Sequence, residues 1–159
     1  MKRLKSKYRV YPDTSVFGGI GDDEFRGPST AFFDLVRGGA FVPVLSVLVA
    51  DEIRPAPKLV RGLYNEISMI AEWTEVTAEA LALRDAYIKA GVLSEQWAAD
   101  ALHVALATVS GCHLIVSWNF RHIVHFQKVP LYNAINRLEG YNEVGIYTPQ
   151  EVLTYEEKV

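Results

Sequence analysis

Asp13, Glu52 and Asp100 are the residues of this chain whose types and surroundings point to chemistry. Asp13 ends the early apolar stretch Tyr8–Pro12 and runs into the polar turn Thr14-Ser15. Ligands of open parallel sheets bind outside the carboxyl ends of the strands, so an acid there is placed to meet a metal or a substrate. Glu52 follows a second strand end, within Leu48-Val-Ala-Asp-Glu-Ile53, where its neighbours are apolar and Asp51 is the better candidate to face water. Asp100 lies in mid-helix in the stretch Glu95–Ser110, whose apolar residues run almost all the way round, so that helix is expected to be buried. A buried carboxylate without a partner costs several kcal/mol; a divalent cation, His103 one turn along, or a backbone amide would each relieve that cost. Mg²⁺ or Mn²⁺ takes oxygen ligands and leaves positions open for a phosphate, a combination suited to phosphodiester hydrolysis. Without an ion, three converging carboxylates repel one another and raise at least one pKa.

Alternating strands and helices are expected to position these acids. Tyr8–Pro12 reads as a strand, followed by Gly18-Gly-Ile-Gly-Asp-Asp23 as a flexible turn able to act as a lid. A helix over Ser29–Arg37 stops at Gly38-Gly39, and Phe41–Leu45 is a buried strand. A helix from Ser46 is interrupted by Pro55 and Pro57 and resumes over Lys58–Ala71. Trp73–Val76 is a short strand; Thr77 caps a helix to Ala90, and Ser94 caps Glu95–Ser110. His113–Ser117 and Val144–Tyr147 complete the strands, and Thr148-Pro-Gln-Glu151 matches a capping box. This order predicts a three-layer α/β/α fold with a central, mainly parallel sheet in one domain spanning 1–159.

The chain has 159 residues, half of them hydrophobic, which suits a single core. A net charge of −3 lacks the basic excess of a general nucleic-acid binder, so any hold on phosphates must be local. The single cysteine, Cys112, excludes an internal disulfide framework, and its neighbour His113 is better explained by packing than as a nucleophilic pair. Met1–Lys7 is basic without a signal-peptide apolar run, and Ala40–Ala50 is too short to span a bilayer, so a cytoplasmic protein without a membrane partner is expected. His122 and His125 read as polar surface. Neither a P-loop nor a dinucleotide fingerprint is present, and a haloacid-dehalogenase site would need an acid where Ser15 stands.

Taken together, Tyr11-Pro-Asp-Thr-Ser-Val-Phe17, Ser46–Glu52, Ala99-Asp-Ala-Leu-His-Val-Ala105, Ser117-Trp-Asn-Phe-Arg-His122 and Ile146–Glu151 resemble the PIN-domain ribonuclease family, which includes VapC-type toxins. The resemblance spans most of the chain and implies a PIN-like fold. It also implies a site in which Asp13, Glu52 and Asp100 bind Mg²⁺ or Mn²⁺ and Ser15 orients the site. Many members carry a fourth acid where this chain has Asn119. By the same resemblance the activity is endonucleolytic cleavage of single-stranded RNA, the partner a small antitoxin protein, and the assembly a homodimer. Unpaired bases could stack on Trp118 or Phe120, with phosphates held by Arg54, Lys58 and Arg61 or by Arg121, His122, His125 and Lys128. The competing expectation is a PIN-fold module that binds RNA or protein with little turnover because Asn119 replaces an acid.

Overall fold

A computed structural model of the chain describes residues 8–153, so the basic segment 1–7 and the last residues of the expected 1–159 domain lie outside the described residues. Five strands form the sheet: β1 (Tyr8–Pro12), β2 (Phe41–Ser46), β3 (Glu72–Thr74), β4 (Leu114–Val116) and β5 (Gly145–Tyr147). Their order is β3-β2-β1-β4-β5, and every neighbouring pair is parallel, as the alternating sequence predicts. Val10, Tyr11, Val44, Leu45, Ile115 and Val116 are fully buried, as strands covered on both faces must be. Pro43 is tolerated inside β2 because it sits where the register passes from β1, at Phe41–Pro43, to β3, at Val44–Ser46.

The helices are α1 (Thr14–Gly18), α2 (Arg26–Arg37), α3 (Val47–Ile53), α4 (Lys58–Ser68), α5 (Ala78–Lys89), α6 (Ala98–Val109), α7 (Val129–Leu138) and α8 (Pro149–Val152). Connections from β1 to β2 to β3 run toward one edge, whereas those from β3 to β4 to β5 run toward the other. Right-handed crossovers therefore put α1–α4 on one face and α5–α7 on the opposite one. The packing agrees: α1, α3 and α4 touch one another, and α5 packs on α6 and α7. The order reverses between β1 and β4, so the crevice at their carboxyl ends is the topological switch point.

Local signals account for most boundaries. Thr77 caps α5 through Ala80 N, and Thr148 with Glu151 forms the full capping box of α8. Gly91 and Gly111, at φ 80° and 75°, follow α5 and α6 in the left-handed conformation that glycine adopts without penalty.

Three expectations need correction. The stretch Gly18–Asp23 is no flexible lid: Gly18 ends α1 and Gly19–Gly21 forms a 3-10 turn whose Gly19 and Ile20 are buried. The apolar side chain of Ile20, anchored in the core, outweighs the glycines' freedom. Ser94 makes no side-chain cap, and Glu95–Trp97 is a 3-10 turn, so α6 begins at Ala98. Asp100 consequently lies in the first turn, with its side chain 23% exposed, while full burial of α6 begins at Ala101.

Candidate active site

Asp13 leaves β1 and N-caps α1 at the switch point. Its Oδ1 accepts hydrogen bonds from Ser15 N (3.1 Å) and Ser15 Oγ (2.5 Å), and its Oδ2 accepts one from Ser117 Oγ (2.6 Å). Ser117 directly follows β4, so two adjacent strand ends hold one carboxylate. The residue is only 4% exposed. Burial raises its pKa above the ordinary carboxylate value, against the opposing pull of His103, Ser117 and Ser15, and Glu52 pushes in the same direction as burial.

Glu52 stands on α3, which Ser46 caps from the end of β2 through Val49 N. Its Oε1 accepts from Thr14 Oγ1 (3.2 Å) and lies 2.5 Å from His103 Nε2. Burial pushes this carboxyl upward, but the hydrogen bond and charge of His103, helped by Thr14, outweigh it and leave the pKa lowered. His103 is 2% exposed, and its Nδ1 is 2.8 Å from the Tyr11 hydroxyl, itself 2.8 Å from Ser46 Oγ. Burial also keeps Tyr11 a phenol. The His103 ring thus bridges Glu52 at one nitrogen and Tyr11 at the other, and Tyr11 carries the chain on to Ser46 Oγ.

Asp100 occupies a second arm. Its Oδ2 is 2.9 Å from His122 Nδ1, and the His122 ring lies against Trp97 with centroids 4.3 Å apart. Asn119 joins the two arms: its N–H donates to Ser117 Oγ (2.9 Å) and its Oδ1 accepts from His122 N (2.9 Å).

No protein-family model matches this sequence, and no curated protein matches it. In fold, the chain is similar to a chain in the crystal structure of VapBC2 from Rickettsia felis bound to a DNA fragment from their promoter. The TM-score is 0.56 at 11% identity, covering 88% of this chain and 98% of that one. The likeness is one of fold. It agrees with the parallel α/β/α architecture that the PIN resemblance implied.

The structure thus brings Asp13, Ser15 and Ser117 into direct contact, with Glu52 near enough to shift Asp13 electrostatically and Asn119 one hydrogen bond away. It pairs Glu52 and Asp100 each with a histidine, and among the described residues no three His, Cys, Asp or Glu side chains are grouped to hold a metal ion. By donor type the set suits a hard cation. All candidate donors are oxygens, Asp13 is a buried acid, and Glu52 Oε2 and Asp100 Oδ1 carry no hydrogen bond among the described residues.

His122 corrects an expectation, for it is 7% exposed rather than a polar surface residue, covered by Trp97 and held at its carbonyl by Tyr132 Oη (2.7 Å). The Asp100–His103 pairing that one-turn spacing suggested does not form, because α6 turns His103 toward the sheet and Glu52. Ser117 escaped the sequence reading as a site residue; its position directly after a buried strand was the available signal. Several basic candidates are engaged within the protein: Arg54 with Asp51, Arg61 with the Ala56 carbonyl and Lys128 with the Val92 carbonyl. Arg121 remains outward, its guanidinium 5.0 Å from the Trp97 ring centroid.

Proposed function

We propose that this chain is a divalent-metal-dependent endoribonuclease cleaving single-stranded RNA, and that it acts in the cytoplasm as the toxin of a toxin-antitoxin pair. The observation that carries the reading is Asp13. A buried carboxylate at the switch point of a parallel sheet, with its pKa pushed up and a second carboxylate in electrostatic range, is placed for a cation and a phosphate. The VapBC2 fold likeness supports the toxin-antitoxin setting, a small antitoxin as partner and a PIN-type nuclease as the class.

Asp13, Glu52 and Asp100 would hold Mg²⁺ or Mn²⁺. The ion, when bound, supplies polarisation of a phosphoryl oxygen and a water acidic enough to attack at neutral pH. Ser15 and Ser117 fix the Asp13 carboxylate by donating to opposite oxygens. His103 orients Glu52, and Asn119 sets the backbone of His122, which in turn meets Asp100. A homodimer is part of the proposal.

One observation favours a second reading. Asn119 spends its carbonyl on His122 N, so it offers no free acid in place of the fourth carboxylate, as expected of a binding module with little turnover. Cleavage of end-labelled single-stranded RNA with Mg²⁺ or Mn²⁺, run beside chelator and Asp100→Asn, separates the two. Metal-dependent cutting lost in the variant supports the nuclease; RNA retained without cutting supports the module.

A further inference from the structure

Two aromatic rings, Trp118 and Phe120, stand beside this site on the segment that leaves Ser117, and a third, Phe25 at the start of α2, packs against both. Phe25 stacks on Trp118 with centroids 4.3 Å apart and planes 21° from parallel, while Phe120 lies 6.1 Å from Trp118 and 6.3 Å from Phe25. Sequence alone leaves Trp118 and Phe120 equivalent as stacking candidates. The structure separates them. The Trp118 indole is committed inward: Phe25 covers one face, its Nε1 donates to Ser29 Oγ (2.8 Å), and it presses so close to Gly19 that a Cβ there would stand 2.9 Å from Nε1. Trp118 N also donates to Ser15 Oγ (2.8 Å), the same hydroxyl that donates to Asp13 Oδ1. Trp118 is therefore a buttress tied rigidly to the site carboxylate. Phe120 is 51% exposed and rests on that buttress.

We infer that Phe120 is the stacking face for an unpaired nucleobase of the strand lying across the Asp13 site, with Arg121 supplying the adjacent phosphate contact. This subsite rests on the nuclease reading for its position relative to the reaction, though not for its binding chemistry. A ring held at half exposure by two others loses little freedom on binding, and every base offers it a π-face. The cation is next in sequence, exposed and laid over Trp97. Phe120 follows Ser117, which touches Asp13, by only three residues, a reach of at most about 10 Å of extended chain. A base on Phe120 thus brings its own strand's phosphates to the carboxylate.

The test measures binding apart from cutting. Fluorescence anisotropy of a fluorescein-labelled eight-nucleotide RNA is followed in chelator, where metal-dependent cleavage cannot occur. Wild type is compared with Phe120→Ala, Phe120→Tyr and Arg121→Ala, and a matched RNA duplex serves as the second probe. Phe120→Ala is expected to weaken single-strand binding about tenfold, Phe120→Tyr to restore it, and duplex binding to be indifferent to both. Arg121→Ala should weaken binding and flatten its salt dependence. Equal single-strand affinity in wild type and Phe120→Ala, the same loss on duplex, or no single-strand binding by wild type would each overturn the subsite. Melting temperatures of all variants exclude misfolding as the cause, and a Phe120→Ala variant that fails to fold leaves Phe120→Leu, apolar but without a π-face, to carry the comparison. If Phe120-dependent binding occurs but wild type cuts nothing with Mg²⁺ or Mn²⁺, the nuclease reading fails and the subsite stands. If wild type cuts and Phe120→Ala cuts with unchanged KM, the reverse holds.

Discussion

His103 Nε2 lies 2.5 Å from Glu52 Oε1, joining the buried face of α6 to the outer turn of α3 across the end of the sheet. The ring's other nitrogen is fixed by Tyr11, and Tyr11 by Ser46, so the rotamer of a partly exposed carboxylate is set by three buried side chains. Glu52→Gln and His103→Ala should therefore be coupled. Because the Glu52 side chain is 37% exposed, the coupling is expected to be about 1 kcal/mol, below that of a fully buried pair. His103→Ala alone should cost about 2–4 kcal/mol, since it opens space in the core and removes one of the two side-chain partners of the buried Tyr11 hydroxyl. Urea unfolding of the two single variants and the double variant gives the cycle; additive effects would mean the contact orients nothing.

Gly18 and Gly19 are adjacent in sequence and opposite in consequence. A Cβ at Gly19 would lie 2.3 Å from Ser29 Oγ and 2.9 Å from Trp118 Nε1, whereas one at Gly18 meets nothing within 4 Å. Gly19→Ala is expected to lose about 2 kcal/mol through overpacking and to break the Trp118–Ser29 bond. Gly18→Ala should be neutral or gain up to about 1 kcal/mol, because it stiffens the unfolded chain within a helical conformation. Chemical denaturation of both, with tryptophan fluorescence of the native states, distinguishes them; equal effects would count against the packing of Trp118 on Gly19.

The succession of strands and helices and the caps at Thr77 and Thr148 were legible because they depend on local signals: short apolar runs, Gly91 and Gly111 at helix ends, and Thr148 with Glu151. Asp13 was legible for the same reason, as an acid directly after a strand. What stayed hidden is tertiary. Asp100 and His103 share a helix at i,i+3, yet Asp100 reaches His122, 22 residues on, and His103 reaches Glu52, 51 residues back. Spacing along one helix cannot say which of its faces meets the sheet. The glycines at 18–21 read as flexible because backbone freedom is a local property, while the contact that fixes Gly19 comes from Trp118, far along the chain.

Cys112 precedes His113, but the two do not form a reactive pair. His113 Nδ1 accepts from Arg9 N (2.9 Å), and the thiol is buried, with burial raising its pKa beyond what Ser110 and Arg9 offset. A thiol that stays protonated and covered is a poor nucleophile. Native-state labelling by a maleimide or disulfide reagent should be slower than in denaturant on the order of hundredfold and should accelerate only as the fold opens. Stoichiometric labelling of the folded protein within seconds would contradict this burial.

Asp13 and Glu52 should answer pH in opposite directions in metal-free protein. The Asp13 pKa is raised above its unfolded value of 3.8, chiefly by burial. The folded state therefore favours the protonated acid, and the wild type loses stability as pH rises from that value through the raised one. Glu52 is lowered, so its contribution is present above its unfolded value and disappears as pH falls through the folded one. Asp13→Asn keeps the shape, can still accept from Ser15 and can donate to Ser117, and removes the buried charge. In chelator it should melt above wild type at pH 7, by a margin that shrinks toward pH 4, while losing the proposed RNA cleavage. Added Mg²⁺ or Mn²⁺ should raise the wild-type melting temperature and leave that of the variant nearly unmoved. Scanning calorimetry across pH 4–7, with and without metal, measures both. If Asp13→Asn melts below wild type throughout that range, the carboxylate is a structural cap rather than an acid strained for a cation.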